Sequence, residues 1–403
     1  HKVTGVQTCA LPILEIGTRC IHANQQHEHF GSVIQPIYQT STFEFENCDQ
    51  GGNRFAGKES GYIYSRLGNP TTNNLECKIA NLEGAEACAV MSSGMGAIAS
   101  TVLTLLKTGD HVIADNTLYG CTFSLFEHGL TKFGIEVDFI DTSIPGEVKK
   151  HLKPNTKLVY YETPANPTMK IIEHKRVVEE AHSQEGVLVV SDNTFSSPIC
   201  TRPIEYGVDI VVHSMTKYLN GHSDVVAGCV CSRKEIIDRI KMEGIKDLTG
   251  SVMSPHDAFL VTRGLMTLEL RVRQAAQNAQ KVAEYLASNP KVLAVYYPGL
   301  KNHPGHDIAE KQMKYFGAMI SFELKGGIEA GKALLNNLKV ITLAVSLGSC
   351  ESLIQHPATM THACVSAEER HKAGVTDGLC RLSVGIENID DIINDLKHAF
   401  EKV

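Results

Sequence analysis

Four features of this sequence carry side chains that could do chemistry together. Lys217 lies in Ser214-Met215-Thr216-Lys217, directly after the apolar run Asp209–His213. A lysine is ordinarily exposed and protonated, and its amine becomes a nucleophile only where its surroundings disfavour the ammonium. Asp192 ends the apolar run Val187–Ser191. It is placed either to cap the Asn193-Thr194 turn or to meet a ligand beyond the carboxyl end of a strand. Tyr119, in Leu118-Tyr119-Gly120-Cys121-Thr122, follows the run that ends near Asp115. Ser92-Ser93-Gly94-Met95-Gly96-Ala97 follows one β-rich run and opens a helical one, where unpaired N–H groups receive an anion such as phosphate.

These features meet the needs of one pyridoxal phosphate. Lys217 offers the amine its aldehyde requires, and Ser93, Gly94, Met95, Ser214 and Thr216 offer donors for its phosphate. Asp192 offers an anion for the ring nitrogen, and Tyr119 a flat surface for the ring. A second reading starts from Gly94-Met95-Gly96-Ala97-Ile98-Ala99, which fits G-x-G-x-x-A, with Asp115 about 20 residues further on. That pattern belongs to nicotinamide-dependent dehydrogenases, and it leaves Lys217, Asp192 and Ser214–Lys217 without a task.

The elements that must position these residues are legible as alternating patterns. Strands are expected at Ala87–Met91, His111–Ala114, Glu136–Ile140, Lys157–Glu162, Val187–Ser191, Asp209–His213 and Gly228–Cys231. Several are continuously apolar, as in strands covered on both faces. Helices are expected at Thr72–Glu83, Gly94–Leu106 and Lys175–His182, so the fold class is α/β with a mostly parallel sheet. Beyond about residue 250 a long helix, Leu268–Leu286, precedes strands at Val292–Tyr297, Ala318–Leu324 and Leu379–Val384. The chain closes on the helical stripe Ile389, Ile392, Ile393, Leu396 and Phe400. The expected division is an irregular N-terminal arm over 14–64 with little core of its own, a large cofactor-binding domain over 65–262, and a smaller C-terminal α/β domain over 263–403. Residues 1–13 share no pattern with the rest and are set apart as a non-native segment.

A net charge of −7 offers no basic footprint for nucleic acid or an anionic membrane. No apolar run approaches the roughly 18 residues of a membrane span. Twelve cysteines in 403 residues are too few for a disulfide scaffold and read as reduced thiols in a cytoplasmic protein. Cys229 and Cys231 point the same way on one strand, but no second ligand pair follows. His303-Pro304-Gly305-His306 lacks further ligands at a useful spacing, so no metal site is expected. His356 and His362 read as structural or surface residues.

Six segments in this order, Tyr62–Thr71, Ser92–Ala97, Glu162–Thr168, Asp192–Thr194, His213–Lys217 and Ser346–Gly348, resemble the cystathionine γ-synthase/methionine γ-lyase family of pyridoxal phosphate enzymes. The resemblance spans about residues 18–403. It implies an aspartate-aminotransferase-like (type I) fold and a homotetramer built from dimers that share their active sites. It makes Lys217 the lysine that condenses with the cofactor and shuttles protons, and Asn166 the partner of the ring oxygen. Tyr64 and Arg66 then reach the phosphate of a neighbouring subunit. Arg381 grips the substrate carboxylate with a planar fork, assisted by Ser346. Tyr64, Cys121 and Lys246 are further substrate contacts, and Tyr119 is the acid for the leaving group. Cys121 and Gly244–Asp247 resemble the methionine γ-lyase subgroup. That likeness implies α,γ-elimination of a sulfur amino acid, L-methionine, to methanethiol, 2-oxobutanoate and ammonia. Cystathionine γ-lyase and O-acetylhomoserine sulfhydrylase chemistry are the alternatives within the family.

Overall fold

The computed structural model describes residues 14–23, 31–361, 363, 366–372 and 374–403; residues 1–13, His362 and Cys364 lie outside them. Seven strands form the larger sheet: β1 (Ala87–Met91), β2 (His111–Asp115), β3 (Glu136–Ile140), β4 (Thr156–Glu162), β5 (Leu188–Asp192), β6 (Ile210–Ser214) and β7 (Gly228–Ser232). Their order is β1-β7-β6-β5-β4-β2-β3. Strands β2 to β6 pair in parallel, and β7 runs antiparallel to both of its neighbours. Alternate residues feed two separate cores. Val189 and Val211 join Leu75 and Ile79 on one face, while Val190 and Val212 join Ile98, Val102 and Phe126 on the other. Burial on both faces is why these strands read as unbroken apolar runs.

The helix Pro70–Glu83 shows how locally the sequence specifies its ends. The Asn69 side chain accepts the N–H of Thr71 at 2.9 Å, Pro70 takes the first helical position, and Gly84 ends the helix at φ 78°. Its inner face buries Leu75, Ile79 and Leu82.

The described residues of the N-terminal region include two helices. Helix Ile16–His22 buries Cys20, and the Lys78 ammonium donates to the carbonyls of Cys20 (2.8 Å) and Ile21 (3.0 Å). The Gly51-Gly52 pair, within the stretch expected to be an irregular arm, lies inside helix Cys48–Phe55. There Asn47 accepts the N–H of Gln50, and Gly51 packs on the ring of Phe45.

The second sheet contains β8 (Val292–Tyr296), β9 (Met319–Leu324), β10 (Thr342–Leu343), β11 (Leu353–Gln355) and β12 (Leu379–Ser383), in the order β10-β11-β12-β9-β8. Apart from the parallel pair β10–β11, its ladders are antiparallel. Helices Leu268–Ser288 and Ile389–Phe400 pack together beside it. Leu382 and Phe322 of this sheet share one continuous core with Val189 and Val211 of the first. That shared core holds β12 in a fixed place relative to the ends of β4, β5 and β6.

Two glycines set opposite expectations. A Cβ at Gly228 would lie 2.1 Å from the Ser93 carbonyl oxygen, whereas one at Gly52 meets nothing within 4 Å. Gly228→Ala is expected to destabilise the protein by about 1–3 kcal/mol, and Gly52→Ala to stabilise it by about 0.5–1 kcal/mol. Urea unfolding of the two variants checks both signs.

Candidate active site

Parallel strands bring their carboxyl ends to one edge, and three neighbouring strands end there in polar side chains. Glu162 and Asp192 face each other on the last rung of β4 and β5, and Ser214 closes β6. The Asp192 carboxylate accepts the backbone N–H of Thr194 at 2.9 Å, and the Thr194 hydroxyl accepts the N–H of Ser214 at 2.8 Å. Asp192 is therefore both a turn cap and a strand-end carboxylate. Burial raises its pKa, against the opposing hydrogen bonds of Thr194.

Lys217 follows three residues after β6. Its ammonium donates to the Ser346 hydroxyl at 2.8 Å. Burial, and then the charge of Arg381, push its pKa down to about 8. Arg381, in the middle of β12 and only 6% exposed, donates to the Asn166 side-chain oxygen and to the Ser346 carbonyl, each at 2.9 Å. Its Nε is buried with no partner among the described residues. Burial lowers the guanidinium to about 10. Ser346 serves both cations from a backbone at φ 84°, a conformation that is uncommon for serine and concentrates at functional sites.

Tyr119 begins the short helix Gly120–Ser124 with its ring 46% exposed. Its backbone N–H donates to Glu162 at 2.9 Å, and its hydroxyl accepts from the Cys121 thiol at 3.4 Å. The Cys121 contact, with burial second, pushes the phenol up to about 12, so at neutral pH it holds its proton. Asp115 is wholly buried. It binds the Lys170 ammonium at 2.7 Å, the Thr117 N–H at 2.8 Å and the Thr142 hydroxyl at 2.6 Å. Those bonds occupy the acid that a dinucleotide fingerprint would need for a ribose.

The Ser92–Ala97 turn has the form expected of an anion cradle. Ser93 caps helix Gly94–Leu105 by accepting the Gly96 N–H at 2.9 Å. The preceding N–H groups, of Gly94 and Met95, are left to donate outward. Gly94 is pressed against Ser214, where a Cβ would lie 2.9 Å from the serine Cβ. The Thr216 hydroxyl donates to the Ala227 carbonyl (3.2 Å) and accepts its N–H (3.0 Å), tying the Lys217 turn to the start of β7.

Three predicted residues lie elsewhere. Arg66 donates to the Lys246 carbonyl at 2.8 Å and lies 5.6 Å from the Tyr64 ring, and the Lys246 ammonium binds Asp247 at 2.6 Å. Tyr64, Arg66 and Lys246 thus make a second group, without a contact to Lys217, Asp192 or Arg381 among the described residues. A groove of about 1350 Å³ runs past Arg19, Glu76, Cys88 and Lys241 and includes none of the residues around Lys217. Cys88, Cys229 and Cys231 bring three buried sulfurs within 4.8 Å on β1 and β7, and their thiols are held protonated well above the ordinary range. His303, His306 and His356 are engaged by backbone groups nearby. Sequence reasoning assigned no task to Glu162 or to the ion pair of Glu83 with His213, both buried within the large domain. The available signal was an acid at the end of an apolar run.

Residues 17–401 match the family described as Cys/Met metabolism PLP-dependent enzyme. The chain belongs to this family. Its cofactor is pyridoxal 5′-phosphate, and its two sheets form the type I, aspartate-aminotransferase-like fold. Among family members, a Fusobacterium nucleatum subsp. polymorphum protein named L-methionine gamma-lyase is 58% identical over 388 residues, covering 96% of this chain and 98% of that one. A Porphyromonas gingivalis protein of the same name is 55% identical, covering 96% and 97%. A Bacillus subtilis cystathionine gamma-lyase is 44% identical, covering 93% and 96%. The crystal structure of metB from Corynebacterium glutamicum superposes with a TM-score of 0.91 at 41% identity, covering 97% of this chain and 98% of that one. The site's own chemistry fits the family's cofactor. An amine biased toward neutrality, a strand-end carboxylate and a glycine cradle that a Cβ would fill converge on one sheet edge.

A depressed lysine pKa has a direct kinetic consequence. Only the neutral amine attacks an aldehyde, so capture of pyridoxal phosphate by the apo-protein should speed up as pH rises and level off above about 8. The gain between about pH 6 and pH 8 should be roughly 50-fold. Stopped-flow absorbance measures it, and a midpoint near the ordinary lysine value would contradict the assignment.

Proposed function

We propose that this chain is an L-methionine γ-lyase, which converts L-methionine and water to methanethiol, 2-oxobutanoate and ammonia. The observation that carries the reading is the Tyr119–Cys121 contact in a site that also holds Lys217 and Arg381 through Ser346. It supports a reading in which a proton-loaded phenol and an unbranched thiol share one site with an amine base and a carboxylate-binding fork. Relatives bearing that name support the choice of methionine.

In this reading Lys217 binds the cofactor aldehyde and Asp192 the ring nitrogen. Tyr119 would cover the ring, and Asn166, whose oxygen accepts from Arg381, would offer its NH₂ to the ring oxygen. Ser93, Gly94, Met95, Ser214 and Thr216 hold the phosphate. When bound, pyridoxal phosphate supplies an electron sink for charge that develops at the substrate's α-carbon. Arg381 receives the substrate carboxylate on its fork. The Lys217 amine removes the α-proton and then moves protons at the β-carbon. The Ser346 hydroxyl holds Nζ on that path. The Tyr119 hydroxyl donates its proton to the departing methanethiolate. Water then completes release of the keto acid and ammonia.

The second group, Tyr64, Arg66 and Lys246, serves the site of a neighbouring subunit in a homotetramer of paired dimers. Its exposure and its separation from the chain's own Lys217 support that arrangement. No helix among the described residues is long and apolar enough to cross a membrane. The ten cysteines of the described residues carry thiols rather than disulfides, which suits the reducing cytoplasm.

Purified holoenzyme given L-methionine should release methanethiol and 2-oxobutanoate in equal amounts. Tyr119→Phe should keep the bound-cofactor absorbance and lose about 10²–10⁴-fold in elimination rate. Turnover of cystathionine or O-acetylhomoserine without methionine turnover would move the chain to another branch of the family.

A further inference from the structure

Glu162 takes no part in the mechanism above, although it is 6% exposed and lies at the chemical edge of the sheet. It opens the Glu162-Thr163-Pro164 segment, for which the mechanism provides no task. Two observations join it to the site. Its Oε1 accepts the backbone N–H of Tyr119 at 2.9 Å, and its Cα shares the terminal rung of the sheet with Asp192. Tyr119 has no side-chain cap at the start of its short helix, and about half of its surface is exposed. The loop between β2 and Tyr119 is pinned at one end by Asp115, which accepts the Thr117 N–H, and at the other by Glu162.

We infer that Glu162 is a positioning residue: through its hydrogen bond to the Tyr119 backbone it fixes the Tyr119 ring relative to Asp192. The proposal rests on the elimination reading only for its rate measurement, since its other readouts need cofactor and no substrate.

The protonation of the pair follows from its surroundings. Two carboxyls on adjacent strand ends in a buried site do not both carry charge. Asp192 is the better-served anion, receiving the N–H and hydroxyl of Thr194 and lying near His213 and the Tyr160 phenol. Glu162 receives one N–H, and burial followed by the charge of Asp192 holds it well above the usual carboxylate range. Glu162 therefore keeps the proton and acts as a neutral acceptor, leaving Asp192 as the anion at the sheet edge. A neutral acceptor of the same shape should replace it.

The test compares Glu162→Gln, which preserves the acceptor, with Glu162→Met, which fills the space and leaves the Tyr119 N–H without a partner. Three readouts are taken on holoenzyme: visible circular dichroism of the bound cofactor, affinity for pyridoxal phosphate, and kcat against KM. Glu162→Gln should match the parent within about 3-fold, with unchanged dichroism. Glu162→Met should alter the dichroism, weaken cofactor binding roughly 10-fold and lower kcat by at least that factor, with the smaller effect on KM. A folded Glu162→Met protein with parental dichroism and affinity overturns the inference, and so does a Glu162→Gln protein as impaired as Glu162→Met. Should Glu162→Met fail to fold, Glu162→Gln decides alone: parental dichroism supports a neutral acceptor, and altered dichroism overturns it. If the dichroism responds as expected but methionine is not turned over by any form, the functional reading fails and the positioning role stands.

Discussion

Two basic side chains, Lys217 and Arg381, are held inside the protein within reach of one serine. Burial disfavours the charge of both, and Arg381 further disfavours that of Lys217. Such a pair is unfavourable unless something compensates it. Ser346 supplies part of that compensation, accepting from Lys217 with its hydroxyl and from Arg381 with its carbonyl. The remainder of the structure either creates this juxtaposition or turns it to use. Lys217 responds by tending to lose its proton, which is what a nucleophile and base requires. Arg381, lowered only to about 10, keeps its charge at neutral pH.

The juxtaposition depends on two sheets meeting at a fixed distance. Lys217 hangs from the end of β6 and Arg381 sits on β12, 164 positions apart in a 403-residue chain. The continuous core that includes Val211 and Leu382 carries that relationship. Close backbone contacts complete it. Gly228 on β7 admits the Ser93 carbonyl, and Gly348 admits the backbone of Tyr218, next to Lys217. The Ser92–Ala97 turn and Lys217 are thus registered on the same two strands, β6 and β7. Rigid elements with small contact residues give a site its precision.

Much of this order was legible in the sequence, and for a physical reason. Strands buried on both faces must be apolar throughout, so β4, β5 and β6 stood out, and the polar residues that end them stood out by contrast. Asp192 and Lys217 were identifiable in this way. The two short strands Thr342–Leu343 and Leu353–Gln355 were not, because two or three residues make no periodic pattern. Helix Cys48–Phe55, inside the stretch expected to be irregular, was not legible either, since local composition does not reveal that an asparagine cap and the Phe45 ring support a helix there. Ser346 was legible only through family resemblance, as its contacts with Lys217 and Arg381 join segments distant in sequence. Glu162 opens one of the family segments, but its task is not legible there, because its partner, the Tyr119 N–H, is 43 residues away. The grouping of Tyr64 and Arg66 with Lys246 likewise joins segments 180 residues apart.

The central claim is that Lys217, and no other lysine, is the reactive amine that this arrangement creates. Borohydride reduction of the protein–pyridoxal phosphate complex fixes the cofactor to whichever amine holds it, and peptide mass mapping then locates the adduct. One adduct per chain on the peptide carrying Lys217 is the predicted result, lost in Lys217→Ala. An adduct on a different lysine, or one spread over many surface lysines, would contradict the account.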